Sequence, residues 1–108
     1  MKIVLDAMGG DTAPETTVAG AIRAARELPA EIVLAGDRVA IEAQLSRYPK
    51  RPANLTILHA SETIGMEESP VQSVRKKKDS SINVGMDHVR SGQADAFVSA
   101  GNTGAVVC

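Results

Sequence analysis

Short runs of aliphatic residues alternate along the chain with longer segments in which apolar residues recur every three or four positions. The runs predict four strands, at residues 3–5, 32–35, 55–58 and 96–99. Continuous apolar runs are typical of strands buried on both faces, and such strands occur in parallel sheets that are covered by helices. The pattern therefore predicts an α/β fold in which a parallel sheet is flanked by helices.

The first predicted helix follows the turn after the first strand. Thr12 to Glu15 match the pattern of a capping box, with Pro14 in the first helical turn, where its missing N–H is tolerated. Apolar residues between positions 18 and 28 then recur with the helical period. Asp37, directly after the second strand, is predicted to cap a second helix and has no predicted functional role.

Two further helices are predicted between the third and fourth strands. Ser69 and Gln72 form a second capping box before a short helix. Another helix begins at residues 79–81 and ends at Gly92, because glycine is favoured immediately after a helix C-terminus. Each predicted helix thus connects two predicted strands, as a parallel sheet requires.

Composition and charge exclude several classes of protein. The 108 residues are 44% hydrophobic, which is enough for a buried core and excludes a disordered chain. A formal charge of −1 and two aromatic residues, Tyr48 and Phe97, provide neither the field nor the stacking surface that nucleic acids require. We therefore expect no nucleic-acid partner. No segment resembles a signal peptide or a membrane span, so a cytoplasmic protein is expected.

Cysteine and histidine are too few for a metal site or a disulfide framework. Cys108 is the single cysteine, which is typical of a reducing compartment. One cysteine and two scattered histidines cannot supply a tetrahedral set of ligands, so no metal is expected. His59 and His88 have no nucleophile or carboxylate at a characteristic spacing, and both are expected to be non-catalytic.

Two glycine-rich turns are the main candidates for a binding site, because ligands of open α/β sheets bind beyond the carboxyl ends of the strands. Gly9 and Gly10 follow the first strand, and Gly101 to Gly104 follow the fourth. Glycine lets backbone N–H groups approach an anion, and a helix N-terminus favours negative charge. The pair of turns predicts an anion pocket, with two unrelated tight turns as the alternative. Neither turn matches a Rossmann or Walker A fingerprint.

Charged residues lie beside these turns. Asp6 and Asp11 flank the first turn and would repel phosphate, so we expect them to order loop amides or a cationic side chain. A basic segment at 75–78 precedes Ser80 and Ser81, which begin a helix. Because helical residues 76 and 77 diverge from the other two, at most two of the four cations can point into one pocket. The segment suits phosphate, and a solvated basic face is the alternative.

Four motifs together resemble those of the phosphate acyltransferase (PlsX) family of bacterial phospholipid synthesis, in the same order and over the whole chain. They are Asp6-Ala-Met-Gly-Gly-Asp11-x-Ala-Pro14, Glu68-Ser-Pro70, Arg75-x-Lys77-Lys-Asp-Ser-Ser81 and Ala94-Asp-Ala-Phe-Val-Ser-Ala-Gly-Asn-Thr-Gly-Ala105. The resemblance implies an architecture similar to that of the isocitrate/isopropylmalate dehydrogenases and phosphotransacetylases. It covers only the N-terminal third of such proteins, so residues 1–108 are expected to be the N-terminal portion of one α/β domain. The apolar ending at 106–108 is then expected to be a cut early in a helix.

The resemblance also implies a reaction and its partners. A fatty acyl group is transferred from acyl carrier protein to inorganic phosphate, and the acyl phosphate feeds the membrane enzyme that acylates glycerol 3-phosphate. No cofactor and no metal are implied. The implied protein is a cytoplasmic homodimer that associates peripherally with the membrane.

Site residues are predicted from the motifs and the turns together. The predicted catalytic residues are Asn102, Thr103 and Lys77. The predicted phosphate- or substrate-binding residues are Asp6, Gly9, Gly10, Asp11, Glu68, Arg75, Lys78, Ser80, Ser81, Gly101 and Gly104. Phosphate is itself the nucleophile, so no serine or cysteine nucleophile is required.

Two other hypotheses use the same residues. A phosphotransacetylase-type enzyme or a dehydrogenase relative would use the same scaffold with a different substrate. A non-catalytic phosphate-binding or dimerisation fragment is the third hypothesis, because the acyl-chain and carrier-protein surfaces are expected outside these 108 residues.

Overall fold

Strands and helices alternate along residues 1–62 and 78–101, which are the residues that the computed structural model describes. The elements are β1 (Lys2–Asp6), α1 (Glu15–Glu27), β2 (Glu31–Gly36), α2 (Arg38–Leu45), β3 (Leu55–His59), α3 (Ser81–Arg90) and β4 (Ala96–Val98). All four predicted strands are present within one residue of their predicted bounds. The predicted α/β class is confirmed, whereas the dehydrogenase-like architecture stays a prediction.

The four strands form one parallel sheet in the order β3-β2-β1-β4. The first strand in sequence therefore lies inside the sheet, where Val4 pairs with Val33 on one side and with Phe97 on the other. α1 and α2 connect strands in one direction across the sheet, and the chain returns from β3 to β4 in the opposite direction through α3. Because parallel crossovers are right-handed, this reversal places α3 on the opposite face.

Each face of the sheet has its own hydrophobic cluster. On the α1 and α2 side, Ile32 and Leu34 pack with Val18, Ile22 and Ile41 of the two helices. On the α3 side, the cluster contains Val4, Val33, Ala35 and Ala94, with Val89 and Phe97 packed against it. Alternate residues of β1 and β2 thus face different clusters, which explains why both strands are continuously apolar.

The start of α1 differs from the prediction. Pro14, rather than Thr12, occupies the N-cap position and makes no side-chain capping bond, so the predicted capping box is wrong. The Thr12 hydroxyl instead lies 2.7 Å from the hydroxyl of Thr16. Thr17 secures the start of the helix, because its hydroxyl lies 2.5 Å from the carbonyl oxygen of Ala7 and 3.1 Å from that of Pro14.

Three other predicted helix ends are confirmed. Asp37 accepts from the N–H of Val39, and the hydroxyl of Ser80 accepts from the N–H of Asn83. Gly92 has a φ of 79° just after α3. The N–H groups of Gly92 and Gln93 bond back to the carbonyls of Val89 and His88, which is the Schellman arrangement. The capping box predicted at Ser69 lies outside the described residues.

One helical glycine is crowded by a neighbouring side chain and another faces open space, so the two form a matched pair for a stability test. A Cβ on Gly85 would lie 2.3 Å from Cε1 of Phe97, whereas a Cβ on Gly20 would meet nothing within 4 Å. We expect Gly85→Ala to destabilise the chain by about 1–3 kcal/mol through overpacking. Gly20→Ala should stabilise it by about 0.5–1 kcal/mol through helix propensity alone.

Urea unfolding followed by circular dichroism measures both changes. If the two variants shift the midpoint in the same direction, the packing of Phe97 against α3 is not as the structure shows.

Candidate functional site

The two glycine-rich turns meet at the carboxyl edge of the sheet, because β1 and β4 are neighbouring strands. A Cβ on Gly9 would lie 2.8 Å from the backbone nitrogen of Gly101. A Cβ on Gly101 would lie 3.3 Å from the Cα of Gly9. The backbones of the two turns are therefore in contact, and at both positions a side chain would force them apart.

A buried carboxylate joins the two turns. Asp6, at the end of β1, is only 2% exposed. Its Oδ2 accepts a 2.8 Å hydrogen bond from the hydroxyl of Ser99, and its Oδ1 accepts a 3.0 Å bond from the N–H of Met8. The Ser99 oxygen in turn accepts from the N–H of Gly101 at 2.9 Å. Asp6 thus orders amides of both turns.

Glycine is needed at these turn positions for different structural reasons. Gly9 and Gly101 allow close approach, and their own N–H groups are directed at the Asp6 carbonyl oxygen (3.4 Å) and at the Ser99 hydroxyl oxygen. Gly10 has a φ of 97°, a conformation that disfavours any side chain. Its N–H makes no hydrogen bond to another described residue, so it is the glycine amide of this turn that is free to donate to an anion.

A second polar cluster lies where β3 ends and α3 begins. Ser80 and Ser81 are 0% and 1% exposed. The N–H of Ser81 donates to the carbonyl oxygen of Glu62, and the N–H of Glu62 donates to that of Asp79. The hydroxyl of Ser81 has no hydrogen-bond partner among the described residues. Lys78 is exposed in the preceding turn, and its predicted role in phosphate binding stays a prediction.

Ser61 anchors this second cluster through Asp79. Both the N–H (2.9 Å) and the hydroxyl of Ser61 donate to Oδ2 of Asp79. These bonds, the hydroxyl first, lower the pKa of Asp79 below its ordinary value of 3.8. Nδ1 of His59 accepts from the N–H of Arg38 at the start of α2, which is a structural role.

Six predicted site residues lie outside the described residues, and they include all three predicted catalytic ones. They are Glu68, Arg75, Lys77, Asn102, Thr103 and Gly104. Asp11 lies exposed in the turn before α1. In the described ranges no group of three metal-ligating side chains occurs, and no helix there is long and apolar enough to cross a bilayer.

Ser99 and Ser61, the two serines that hold the acidic side chains, are not among the predicted site residues. Ser99 follows Val98, which pairs with Leu5, and so it stands at the same level of the sheet as Asp6. Polar residues at the ends of two adjacent strands are a usable signal only when the strand order is known. Ser61 has no signal in the sequence, since its partner is 18 positions away.

Removal of the Ser99 hydroxyl should weaken the junction of the turns. Ser99→Ala leaves Oδ2 of Asp6 and the N–H of Gly101 without their partner, which is expected to cost about 1–3 kcal/mol of unfolding free energy. The amide of Gly101 should also exchange faster with deuterium. Ser91→Ala is the control, because its exposed hydroxyl only bonds the carbonyl of His88, and a change within about 0.5 kcal/mol is expected. Equal losses in both variants would contradict the assigned junction.

The pairing of Ser61 with Asp79 predicts a pH dependence. Because the pKa of Asp79 is lowered in the folded state, its contribution to stability is present above its ordinary value of 3.8 and is lost as the pH falls through the lower folded value. Ser61→Ala should raise the pKa of Asp79 towards the ordinary value, as followed by NMR titration of its carboxyl carbon. Ser46→Ala is the control. The hydroxyl of Ser46, at the C-terminal end of α2, bonds only the carbonyl oxygen of Ala43, so its removal should leave the titration of Asp79 unchanged. An Asp79 midpoint that is the same with and without the Ser61 hydroxyl would contradict the prediction.

Known proteins that are similar in sequence identify the family of this chain. The family model described as "Fatty acid synthesis protein" matches residues 1–108. The chain is 50% identical over 107 residues to the phosphate acyltransferase of Herpetosiphon aurantiacus, which covers 99% of this chain and 29% of the relative. It is 56% identical over 106 residues to that of Synechocystis sp., covering 98% and 30%. The chain spans about 30% of the length of these curated relatives. It belongs to the fatty acid synthesis protein family.

Proposed function

We propose that this chain provides the phosphate-holding edge of an acyltransferase. The enzyme would transfer a fatty acyl group from acyl carrier protein to inorganic phosphate and form acyl phosphate for phospholipid synthesis. The observation that carries the proposal is the hydrogen-bonded contact between the two glycine turns at the carboxyl edge of the sheet. The relatives named phosphate acyltransferase support the same reaction class.

The chemistry of this reaction demands positioning rather than a reactive side chain. An oxygen of the phosphate dianion attacks the thioester carbonyl carbon, and the C–S bond then breaks with the thiolate as the leaving group. A thiolate is a far weaker base than an alkoxide, so the step needs little general acid catalysis. The protein has to hold phosphate beside the thioester, exclude water and stabilise the developing oxyanion.

The described residues suit the holding of phosphate through the backbone. Asp6 and Ser99 set the position of both turns, and the N–H of Gly10 remains free to donate. Since the Asp6 carboxylate is buried and already accepts two hydrogen bonds, it acts as a positioning residue and not as a ligand. Ser80, which caps α3, places the N-terminus of that helix at the same edge of the sheet, where it favours negative charge.

The remaining site roles and the partners stay part of the proposal. Asn102, Thr103 and Lys77 would stabilise the oxyanion or neutralise phosphate. The resemblance of the motifs supports acyl carrier protein as the acyl donor. It likewise supports a cytoplasmic homodimer that associates peripherally with the membrane, where the glycerol 3-phosphate acyltransferase consumes the product.

The experiment uses a chimera in which this chain replaces the matched N-terminal residues of the Synechocystis relative. With acyl carrier protein thioester and phosphate, we expect acyl phosphate, detected by phosphorus NMR together with release of the free carrier thiol. Acetyl-CoA in place of the acyl carrier protein thioester should give none, and the 108-residue chain alone should give none. Acetyl phosphate as the main product would contradict the proposal in favour of a phosphotransacetylase. Turnover by the short chain would contradict the expectation that it is inactive alone.

Two aspartates that follow adjacent strands make a matched pair in the chimera. Asp6→Asn weakens the carboxylate junction, and we expect at least a tenfold loss of kcat/KM for phosphate, with unfolding monitored separately. Asp37→Asn keeps the helix cap, because asparagine is an equally good N-cap, and should leave turnover unchanged. Equal activities of the two variants would remove Asp6 from the proposed site.

A further inference from the structure

A buried hydroxyl at the start of α3 lacks a hydrogen-bond partner. Ser81 is the first residue of that helix and is 1% exposed, and no described residue bonds its Oγ. Burial removes the hydrogen bonds that a hydroxyl makes to water, so buried polar groups without a partner are rare in folded proteins. The orphaned hydroxyl therefore indicates a binding partner that the described residues do not supply.

Ser80, the preceding residue, is equally buried, but its hydroxyl oxygen is already engaged. That oxygen accepts from the N–H of Asn83 at 3.1 Å and so caps α3. The carbonyl oxygen of Ser80 accepts from the N–H of Val84, which is the first bond of the helix. The two adjacent serines thus differ in role, because Ser80 holds the helix start and Ser81 carries an unused donor.

The backbone at the start of α3 offers a second unused donor. The first N–H groups of a helix have no partner within the helix. The N–H of Ser81 donates to the carbonyl oxygen of Glu62 at 3.1 Å, and that of Asn83 donates to the cap. The N–H of Ile82 makes no hydrogen bond to another described residue. A free hydroxyl and a free amide therefore belong to consecutive residues at a helix N-terminus, where negative charge is favoured.

Hydrogen bonds to the end of β3 hold this helix start in place. Ser61 donates its N–H and its hydroxyl to the carboxylate of Asp79, so that carboxylate is engaged with the neighbouring segment. Glu62 and Ser80 form a parallel bridge. Because β3 runs parallel to the other strands, the cluster lies at the same edge of the sheet as the glycine turns. Donors that are fixed before the ligand arrives lose little freedom on binding.

We propose that Ser81 donates its hydroxyl, together with the N–H of Ile82, to oxygens of the substrate phosphate, and that Ser80 contributes through the helix cap rather than as a ligand. The proposal rests on the proposed function, which supplies inorganic phosphate as the anion. A phosphate dianion presents acceptor oxygens, which match a hydroxyl and an amide that have no other acceptor. Ser81 binds the nucleophile in this role and forms no covalent bond to it.

Ser81→Ala in the chimera with the Synechocystis relative tests the proposal. The KM for phosphate should increase about tenfold or more, whereas kcat should stay within about twofold, since the lost bond holds phosphate equally before and during the reaction. Ser91→Ala is the matched control at the other end of α3. Its exposed hydroxyl bonds the carbonyl oxygen of His88, and its removal should leave the KM unchanged. The same KM in Ser81→Ala and in the unsubstituted chimera would overturn the proposal.

Thermal unfolding without phosphate separates binding from folding. The midpoint of Ser81→Ala should not decrease, because the hydroxyl has no bond to lose. Ser80→Ala should lower the midpoint by several degrees, because it removes the cap. A decrease in Ser81→Ala as large as that in Ser80→Ala would overturn the proposal in favour of a structural hydroxyl.

Binding of inorganic phosphate is measured whether or not the chimera turns over. Phosphate, compared with chloride at equal ionic strength, should raise the thermal midpoint of the unsubstituted chimera and raise that of Ser81→Ala much less. A chimera that forms no acyl phosphate and shows this difference would contradict the proposed function and still support Ser81 as the ligand. Equal stabilisation of the two proteins by phosphate would overturn the role of Ser81.

Discussion

A buried carboxylate at the end of the central strand holds the candidate site together. Oδ2 of Asp6 accepts from the hydroxyl of Ser99, and the oxygen of that hydroxyl accepts from the N–H of Gly101. Because a buried carboxylate without donors is costly, the bond from Ser99 stabilises the contact between the turn after β4 and the end of β1. The shape of this edge therefore depends on the pairing of β1 with β4.

Because β1 lies inside the sheet, both of its faces and both of its edges contact other parts of the fold. Its two faces contribute to two separate hydrophobic clusters, and its two edges pair with β2 and β4. Because β1 and β4 are parallel neighbours, the turns that follow them lie at the same edge. The strand order therefore brings residue 6 next to residue 99.

Two different surfaces result from the same pair of strands. At the carboxyl edge, hydrogen bonds fix the backbone of glycine-rich turns, which suits a small anion that is held by N–H groups. On the α1 face, the same strands present an apolar groove with almost no polar atoms. The two surfaces differ in chemistry, and the lining of the groove includes none of the glycines of the two turns.

Local signals in the sequence determined the elements, the caps at Asp37 and Ser80, the end of α3 at Gly92, and the positions of the glycine turns. These features depend on neighbours a few residues apart, although the capping box predicted at Thr12 is absent and Pro14 occupies the N-cap position of α1. Only the tertiary structure decided the strand order, the bond between Asp6 and Ser99, and the open groove beside Gly20. The physical reason is distance along the chain: Asp6 and Ser99 are 93 positions apart, and no local pattern encodes which of the four strands becomes the neighbour of β1.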